Sequence, residues 1–395
     1  MFIQKIIPSW LLAVTATAPV TQAGSSHHSH HSKIKPQCSS VSFKFSVTNA
    51  ENLLFNPSIN PNNETEVTQF INFILTPGAN FIAGTQNVSG NFQMDGVYCS
   101  PPKSTARNVL QILVHGATYN KSSWQWTDLG ERYDYPLAAT REGYATLAID
   151  RLSHGTNPDK PDPLNVVQPG LQIELLRQLI TTVRTSSSNP LVKKFKKVVW
   201  VGHSWGSMLG IGYARLHGTD PAAIFDAFVA TGVSSQLNSS VFRQYIPAPA
   251  SRIYPDRFGS LPAGYLAYVD KASRVASFYS GEYDPAIPQY DFDHADFTTV
   301  GEFGGVGTLL QPAPHFKKPT IVVTGSEDVI FCVQAGVDPK ECDKILEKTR
   351  TDLFPDVPKE KYEYFAPRRA GHDQSLHKAA PEVAKRIHKF LNKYF

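Results

Sequence analysis

The chain has 395 residues, with 38 lysines and arginines against 34 aspartates and glutamates, which gives a net charge of +4. Because 41% of the residues are hydrophobic and 18% are charged, the composition excludes a mostly disordered chain and allows one large domain with an insertion or two ordinary domains. The small positive charge, without a long basic run, argues against a nucleic-acid partner.

The first 23 residues have the pattern of a secretory signal peptide. Lys5 supplies a positive charge, residues 6–20 are apolar, and residues 21–23 offer the small side chains that cleavage requires. A membrane anchor is the alternative, but the apolar stretch is interrupted by Pro8 and is short for a span of about 20 residues. We therefore expect a secreted, extracellular protein without stable membrane insertion after cleavage.

Residues 24–37 are predicted to form a disordered leader. Their four histidines are interpreted as part of a polar tail and not as a metal site, because nothing nearby would fix the ligands: His27, His28, His30 and His31. Strand-like alternation at 41–47 and a turn-rich stretch at 56–61 follow. Residues 38–105 are therefore predicted to be an N-terminal extension that packs on the main domain.

Four cysteines, none in a CxxC pair, and four glycosylation sequons agree with export. Three disulfide pairings are possible. The favoured one joins Cys38 to Cys99, clamping the N-terminal segment, and Cys332 to Cys342, closing a short loop. The predicted glycosylation sites are Asn63, Asn87, Asn120 and Asn238.

From about residue 107, apolar runs alternate with helical periodicity, which predicts an α/β fold with a mainly parallel, doubly wound sheet. The candidate core strands are 109–114, 144–149, 197–201, 224–231, 320–324 and 362–365. Fourfold spacing predicts one helix that buries Leu171, Leu175, Leu179 and Val183. A closing helix is predicted from Pro381, with Val383, Ile387 and Leu391 on its buried side.

Residues 234–316 interrupt this alternation. The stretch is rich in proline and aromatic residues and lies between two candidate strands. We interpret it as a cap insertion over the carboxyl edge of the sheet, where it would wall a mainly apolar pocket for a small-molecule substrate. The alternative is an insertion that only packs on the core. The main domain, with this insertion about 234–316, is predicted to span 38–395.

The strongest chemical signal is the pentapeptide Gly202-His203-Ser204-Trp205-Gly206, which follows an apolar strand and leads into a helical stretch. In this context Gly-x-Ser-x-Gly predicts a sharp strand-to-helix turn that exposes the serine hydroxyl as a nucleophile. The two glycines leave room for neighbouring backbone. Ser204 is therefore the candidate nucleophile.

A nucleophilic serine needs a base and an acid that orients the base. Asp328 follows the candidate strand 320–324, and His372 follows 362–365, so the chain order is Ser204, Asp328, His372. His372 is predicted to take the serine proton and return it to the leaving group, while Asp328 fixes the imidazole tautomer. Glu327 is the alternative acid.

The oxyanion that forms during acyl transfer needs hydrogen-bond donors. The loop His115-Gly116-Ala117 follows the first core strand, and the backbone N–H groups of Ala117 and Trp205 are the predicted donors. His115 is interpreted as structural because the loop uses its main chain. His154 is considered as a pocket residue, with a structural role as the stronger reading. No metal and no organic cofactor are implied.

Together these motifs resemble the α/β-hydrolase superfamily, and more narrowly secreted fungal serine hydrolases of the AB hydrolase-1 type. The resembling residues span nearly all of the mature chain: Cys38, 98–101, 113–119, 149–152, 202–207 and 371–372. The resemblance implies the sheet, the cap and the triad roles given above. The sequence departs from the family pattern at Ser153-His154, where many relatives are richer in glycine. This departure affects the expected shape of the pocket and leaves the triad unchanged.

We therefore expect an esterase-like serine hydrolase that cleaves carboxylic esters or lactones of small apolar or aromatic molecules. A serine at this turn disfavours dehalogenase and epoxide-hydrolase chemistry. A prolyl-type aminopeptidase is an alternative, because 202–207 also resembles prolyl iminopeptidases, although Ala117-Thr118-Tyr119 does not match their oxyanion loop. A tailoring or cyclising enzyme of fungal secondary metabolism is another alternative. The intact triad weighs against a binding protein without turnover.

Overall fold

The computed structural model describes residues 36–245, 247–332, 338 and 340–395. The predicted signal peptide, the four leader histidines and nearly all of the predicted leader lie outside these residues.

Strands and helices alternate along most of the described chain. The strands are β1 (Gln37–Phe55), β2 (Ile82–Ser100), β3 (Val109–Val114), β4 (Ala145–Ile149), β5 (Lys197–His203), β6 (Ala227–Thr231), β7 (Ala248–Pro249), β8 (Tyr265–Ala267), β9 (Thr298–Thr299), β10 (Thr320–Val323) and β11 (Tyr362–Phe365). The helices are α1 (Glu64–Ile74), α2 (Tyr135–Arg141), α3 (Pro169–Thr185), α4 (Trp205–His217), α5 (Ser240–Gln244), α6 (Ala250–Ile253), α7 (Pro255–Phe258), α8 (Lys271–Phe278), α9 (Ile287–His294), α10 (Val300–Gly305), α11 (Glu341–Leu353) and α12 (Ala380–Leu391). Short 3-10 helices are Lys121–Trp124, Thr127–Leu129, Glu131–Tyr133, Val306–Thr308, Lys359–Lys361 and Gln374–Leu376.

Eight strands form the central sheet, in the spatial order β1-β2-β4-β3-β5-β6-β10-β11. The strands from β3 to β6, together with β10 and β11, run parallel to one another, whereas β2 is antiparallel to both of its neighbours, β1 and β4. This is the α/β fold with a mainly parallel sheet that the sequence predicts. The six candidate core strands correspond to β3, β4, β5, β6, β10 and β11, with ends that differ by up to three residues.

The strands from β3 to β6 and β10 are buried on both faces of the sheet, which explains why they are nearly continuous apolar runs in the sequence. All six residues of β3 are buried. Leu110 and Ile112 join the hydrophobic cluster that contains α3 and α4, whereas Leu113 joins the cluster that contains α12. The residues predicted to face inward on α3 and α12 are all buried, so both helices lie where the periodicity placed their apolar sides.

The predicted N-terminal extension is instead part of the sheet. β1 and β2 pair along almost their whole length, from Gln37 opposite Ser100 to Phe55 opposite Ile82, and β2 also pairs with β4. β1 begins at Gln37, the last residue of the predicted leader. The sequence indicates strands here, but it does not indicate that they continue the central sheet.

The cysteines form the two favoured pairs. Cys38 is bonded to Cys99 on the neighbouring strand, at directly opposed positions of β1 and β2. Cys332 is bonded to Cys342 in the first turn of α11. The described residues contain no free cysteine.

β6 and β10 are adjacent in the sheet, although residues 232–319 separate them in the chain. This connecting segment contains α5 to α10 and a small antiparallel sheet of order β7-β8-β9. It includes the predicted insertion 234–316. None of the helices in the described ranges combines the length and apolarity needed to span a membrane.

Candidate active site

Ser204 lies between β5 and α4, at a turn with strained backbone. Its φ is 49° and its ψ is −113°, a conformation that non-glycine residues rarely adopt. The flanking glycines permit this turn. A Cβ on Gly206 would lie 2.0 Å from the carbonyl oxygen of Val114, and one on Gly202 would lie 2.5 Å from the backbone nitrogen of Ser207. Both positions therefore exclude any larger residue.

His372 and Asp328 meet at the carboxyl ends of β11 and β10. His372 Nδ1 lies 2.8 Å from Asp328 Oδ2, and both side chains are buried. Asp328 Oδ1 accepts the backbone N–H groups of Ile330 at 2.8 Å and Phe331 at 3.0 Å. Because an ionised carboxylate only accepts hydrogen bonds, His372 Nδ1 carries the proton in this pair and Nε2 is left with its lone pair.

The carboxylate that touches His372 is that of Asp328 and not that of the alternative acid, Glu327. Glu327 is half-buried, and no hydrogen bond joins its side chain to His372 in the described ranges. Ser204 and His372 line the same cavity. Ser204 Oγ makes no hydrogen bond to a described residue. In enzymes without substrate, catalytic hydrogen bonds are often long or absent and form only when substrate binds.

The two predicted oxyanion donors border the same cavity. Ala117 follows β3, and Trp205 is the first residue of α4, where the helix carries partial positive charge. Neither backbone N–H donates to an acceptor in the described part of the chain. Both groups are therefore free to bind a negatively charged oxygen near Ser204.

The cavity has a volume of about 380 Å³, within the size range of small-ligand sites. Its walls are mainly apolar. They come from the segment after α1, from α5 and its surroundings, and from loops of the central sheet, and they include Leu75, Phe81, Leu237, Phe242, Phe278, Phe303, Phe331 and Met208. Two basic side chains, His372 and Arg243, also line it.

A second carboxylate beside His372 was missed by the sequence analysis. The Tyr119 hydroxyl donates to Asp373 Oδ2, and Asp373 Oδ1 lies 3.8 Å from His203 Nε2. Burial alone would raise the pKa of Asp373, but the electrostatic interaction with the neighbouring His203 imidazole and the hydrogen bonds from Ser375 and Tyr119 hold it below its ordinary value. Burial lowers the pKa of His203 to about 4, so this imidazole is neutral beside the site.

A buried arginine from the connecting segment was also missed. Arg274 donates to both carboxylate oxygens of Asp291, at 2.7 and 2.8 Å, and to Thr118 Oγ1 at 2.7 Å. Thr118 follows the donor Ala117 and has a φ of 59°. Its backbone N–H donates to the Phe297 carbonyl at 3.1 Å. The segment between β6 and β10 therefore holds in place the loop that carries the candidate oxyanion donor Ala117.

The two histidines considered in the sequence analysis are both buried inside the protein. His115 accepts the backbone N–H of Arg151 at 3.1 Å through Nε2. His154 stacks on Phe297 and lies 3.4 Å from Glu302, and it does not belong to the cavity wall. Ser153, the other residue of the departure from the family pattern, has a φ of 69°.

The four predicted glycosylation sites differ in their surroundings. Asn63 and Asn87 are exposed. The Nδ2 atom of Asn120 donates to Asp296 Oδ2 at 3.1 Å, and that of Asn238 donates to the Val329 carbonyl at 3.0 Å. Within the described ranges, no group of three or more His, Cys, Asp or Glu side chains is arranged to hold a metal ion.

Among solved structures, this chain is similar to a soluble variant of monoglyceride lipase from Saccharomyces cerevisiae in complex with a substrate analog. The identity is 16%, the TM-score is 0.51, and the match covers 78% of this chain and 94% of the lipase. It is also similar to a bromoperoxidase from Bacillus anthracis, at 16% identity and a TM-score of 0.50, covering 76% of this chain and 96% of that one. A comparison with curated proteins finds no match.

The model of the alpha/beta hydrolase family matches residues 111–386. That range includes the turn at Ser204, the Asp328–His372 pair and both candidate oxyanion donors. Since the match covers more than half of the 395 residues, the chain belongs to the alpha/beta hydrolase family.

Proposed function

We propose that the protein is a serine hydrolase that cleaves carboxylic esters, including lactones, of small apolar or aromatic molecules. One observation carries this proposal: Ser204 and His372, which is hydrogen-bonded to Asp328, line one mainly apolar cavity together with Ala117 and Trp205, whose backbone N–H groups are unpaired within the described residues. This is the set of groups that nucleophilic acyl transfer requires.

In the proposed mechanism, Ser204 Oγ attacks the ester carbonyl carbon while His372 Nε2 accepts the hydroxyl proton. The carbonyl oxygen becomes an oxyanion and receives the N–H groups of Ala117 and Trp205. When the intermediate collapses, the C–O bond to the alcohol breaks, and His372 returns the proton to the leaving alkoxide. Water, deprotonated by His372, then releases the acid from Ser204. Asp328 holds the imidazole in the required tautomer and stabilises its charge throughout.

The charge of the cavity favours ester substrates over the N-terminal peptides of an aminopeptidase. No aspartate or glutamate lines the cavity in the described part of the chain, so a substrate ammonium group would meet no anionic partner there. Apolar walls instead suit an apolar acyl or alcohol chain. We propose that the segment 234–316 acts as the cap that supplies part of these walls.

Covalent labelling with a fluorophosphonate probe tests the proposal. We expect the wild-type protein to be labelled and Ser204→Ala to be unlabelled while retaining its fold by circular dichroism. Asp328→Asn should lower kcat for p-nitrophenyl esters by about 10⁴-fold, because the imidazole loses its orienting acceptor. Glu327→Gln is the matched control and should keep its activity. Absence of labelling in folded wild type would contradict the proposal.

We also propose that the protein is exported and N-glycosylated, and that it belongs with secreted fungal members of the family. The two disulfides support export, since such bonds persist mainly in oxidising compartments.

A further inference from the structure

The carbonyl oxygen of Gly116 accepts two side-chain hydrogen bonds in the protein interior. Arg151 Nη2 lies 3.2 Å from this oxygen, and His115 Nδ1 lies 2.9 Å from it. Because His115 Nε2 accepts the backbone N–H of Arg151, the proton of this imidazole is on Nδ1 and is donated to Gly116. Both side chains are buried. The carbonyl is thus fixed toward the interior.

This carbonyl belongs to the same peptide group as the Ala117 N–H, one of the two candidate oxyanion donors. The C=O and N–H bonds of a planar trans peptide point in opposite directions. Holding the Gly116 oxygen inward therefore directs the Ala117 N–H outward, toward the cavity that Ala117 lines. A cationic donor on the carbonyl also draws electron density from the amide, which makes its N–H a stronger donor.

The guanidinium of Arg151 is itself held in place. Its Nη1 contacts Glu302 Oε1 and donates to Gln172 Oε1 at 2.7 Å. Glu302 Oε2 accepts the backbone N–H of Thr299 at 2.9 Å, so this counter-ion is anchored in the segment between β6 and β10. Since both charges are buried and mutually paired, Arg151 cannot turn away from Gly116 without leaving a buried charge unpaired.

We infer that Arg151 is a positioning residue, which orients and polarises the Gly116–Ala117 peptide for the oxyanion. Arg151 does not line the cavity, so it acts on the reaction through its neighbours, by hydrogen bonding to that peptide and with its guanidinium 5.9 Å from the centroid of the Trp205 ring. The inference rests on the proposed hydrolase function. The ion pair of Arg151 and Glu302 thereby gains an indirect role in catalysis. Neither the residue types nor a sequence motif indicates this role.

The test compares two ligands of the same chain length in wild type and Arg151→Lys. A trifluoromethyl ketone forms a tetrahedral adduct with the serine and places an oxyanion at the donors, whereas the corresponding alcohol does not. Lysine can keep the ion pair with Glu302, but its single ammonium group does not also supply the second N–H donor that binds the Gly116 carbonyl. We expect the inhibition constant of the ketone to rise about tenfold or more, and that of the alcohol to change less than about twofold.

Arg184→Lys is the matched control, because Arg184 also bridges a carboxylate, Asp226, and a backbone carbonyl, Ile224, away from the cavity. Equal changes for both ligands in Arg151→Lys, or no change for either, would overturn the inference. If Arg151→Lys does not fold, the double variant R151M/E302Q, which removes both buried charges together, takes its place. Wild type that neither binds the ketone nor reacts with fluorophosphonate would refute the proposed function instead.

A separate observation concerns a charged side chain in the wall of the cavity. Arg243 of α5 lines the cavity and is exposed. Its Nη1 donates to Ser239 Oγ at 3.2 Å, and no carboxylate pairs with it in the described ranges. Among the described cavity residues it is the one with a permanent positive charge. A cation at an otherwise apolar site is a partner for an anionic ligand group.

We propose that Arg243 binds a carboxylate or similar anion at the far end of the substrate, which deepens the proposed function by defining the substrate as an amphipathic ester. The test uses p-nitrophenyl half-esters of dicarboxylic acids of increasing length, beside the methyl-terminated esters of the same lengths. In Arg243→Gln we expect kcat/KM for the half-ester of fitting length to fall about three- to tenfold, with little change for the methyl-terminated ester.

Arg252→Gln is the matched control, since Arg252 is an exposed arginine of the same segment that pairs with Glu64 and does not line the cavity. Equal losses for both ester series, or no dependence on Arg243 at any length, would overturn this proposal. Wild type that hydrolyses neither series would count against the hydrolase function and not against the role of Arg243.

Discussion

Acid should destabilise this protein through a histidine that is far from the candidate active site. His388 of α12 is buried, and its Nδ1 donates to the Ala384 carbonyl at 2.8 Å. Its Nε2 lies 3.3 Å from Nε2 of Gln111, whose Oε1 accepts the Tyr135 hydroxyl at 2.8 Å. The amide orientation is therefore fixed, and Gln111 donates to His388. Protonation of His388 at Nε2 would place its new N–H group against the N–H donor of Gln111.

Burial lowers the pKa of His388 to about 4, against an ordinary value of about 6.5. Between these two values the unfolded chain binds the proton and the folded chain does not. The free energy of unfolding must therefore fall as the pH drops through this window, by about 1.4 kcal/mol per pH unit. For His388 alone, the loss between pH 7 and pH 5 comes to about 2 kcal/mol.

His388→Gln removes the titrating group and retains an amide oxygen that can accept from Gln111. Urea unfolding followed by tryptophan fluorescence at pH 7, 6 and 5 measures the effect. We expect the variant to lose about 2 kcal/mol less than wild type between pH 7 and pH 5. His203 contributes to the acid sensitivity of both proteins and cancels in this difference. His315→Gln, at an exposed side chain, is the control. An equal loss in wild type and His388→Gln would refute the reasoning.

Two further outcomes are expected. Gly206→Ala should lower kcat at least about 10²-fold. The new Cβ would lie 2.0 Å from the carbonyl oxygen that ends β3 and would displace the loop that carries Ala117. Gly307→Ala is the control and should leave kcat unchanged, because its Cβ would have no neighbour within 4 Å. Peptide mapping after glycosidase treatment should find sugar on the exposed Asn87 and none on Asn120, whose Nδ2 is occupied by a hydrogen bond; the reverse pattern would contradict the placement of these side chains.

The sequence could predict the core strands and the candidate triad because each depends on local signals. Ser204, Asp328 and His372 follow the strands β5, β10 and β11, and parallel strands bring their carboxyl ends to one edge of the sheet. The ends of the strands could be predicted less closely than the strands themselves. The apolar run 224–231, for example, begins three residues before β6.

Other parts of the site could not be predicted because they depend on pairs that are distant in sequence. Tyr119 contacts Asp373 across 254 positions, and Arg151 contacts Glu302 across 151. The sequence does not show which polar side chains will be buried. No local pattern identifies the partner of such a side chain. The alternation at 41–47 indicates a strand, but it does not identify the strand's partners, and much of the hairpin formed by β1 and β2 is exposed or half-buried, unlike the core strands of the sheet.

The disulfide between Cys332 and Cys342 lies on the loop that carries the candidate acid. The backbone N–H of Cys332 donates to the Asp328 carbonyl at 2.9 Å, and the adjacent Phe331 N–H binds the Asp328 carboxylate. Because the bond fastens this loop to α11, its formation and the alignment of Asp328 with His372 are coupled. A chain whose Cys332 and Cys342 stay reduced would lack this fastening, so we expect reduction of this disulfide to loosen the alignment of Asp328 with His372.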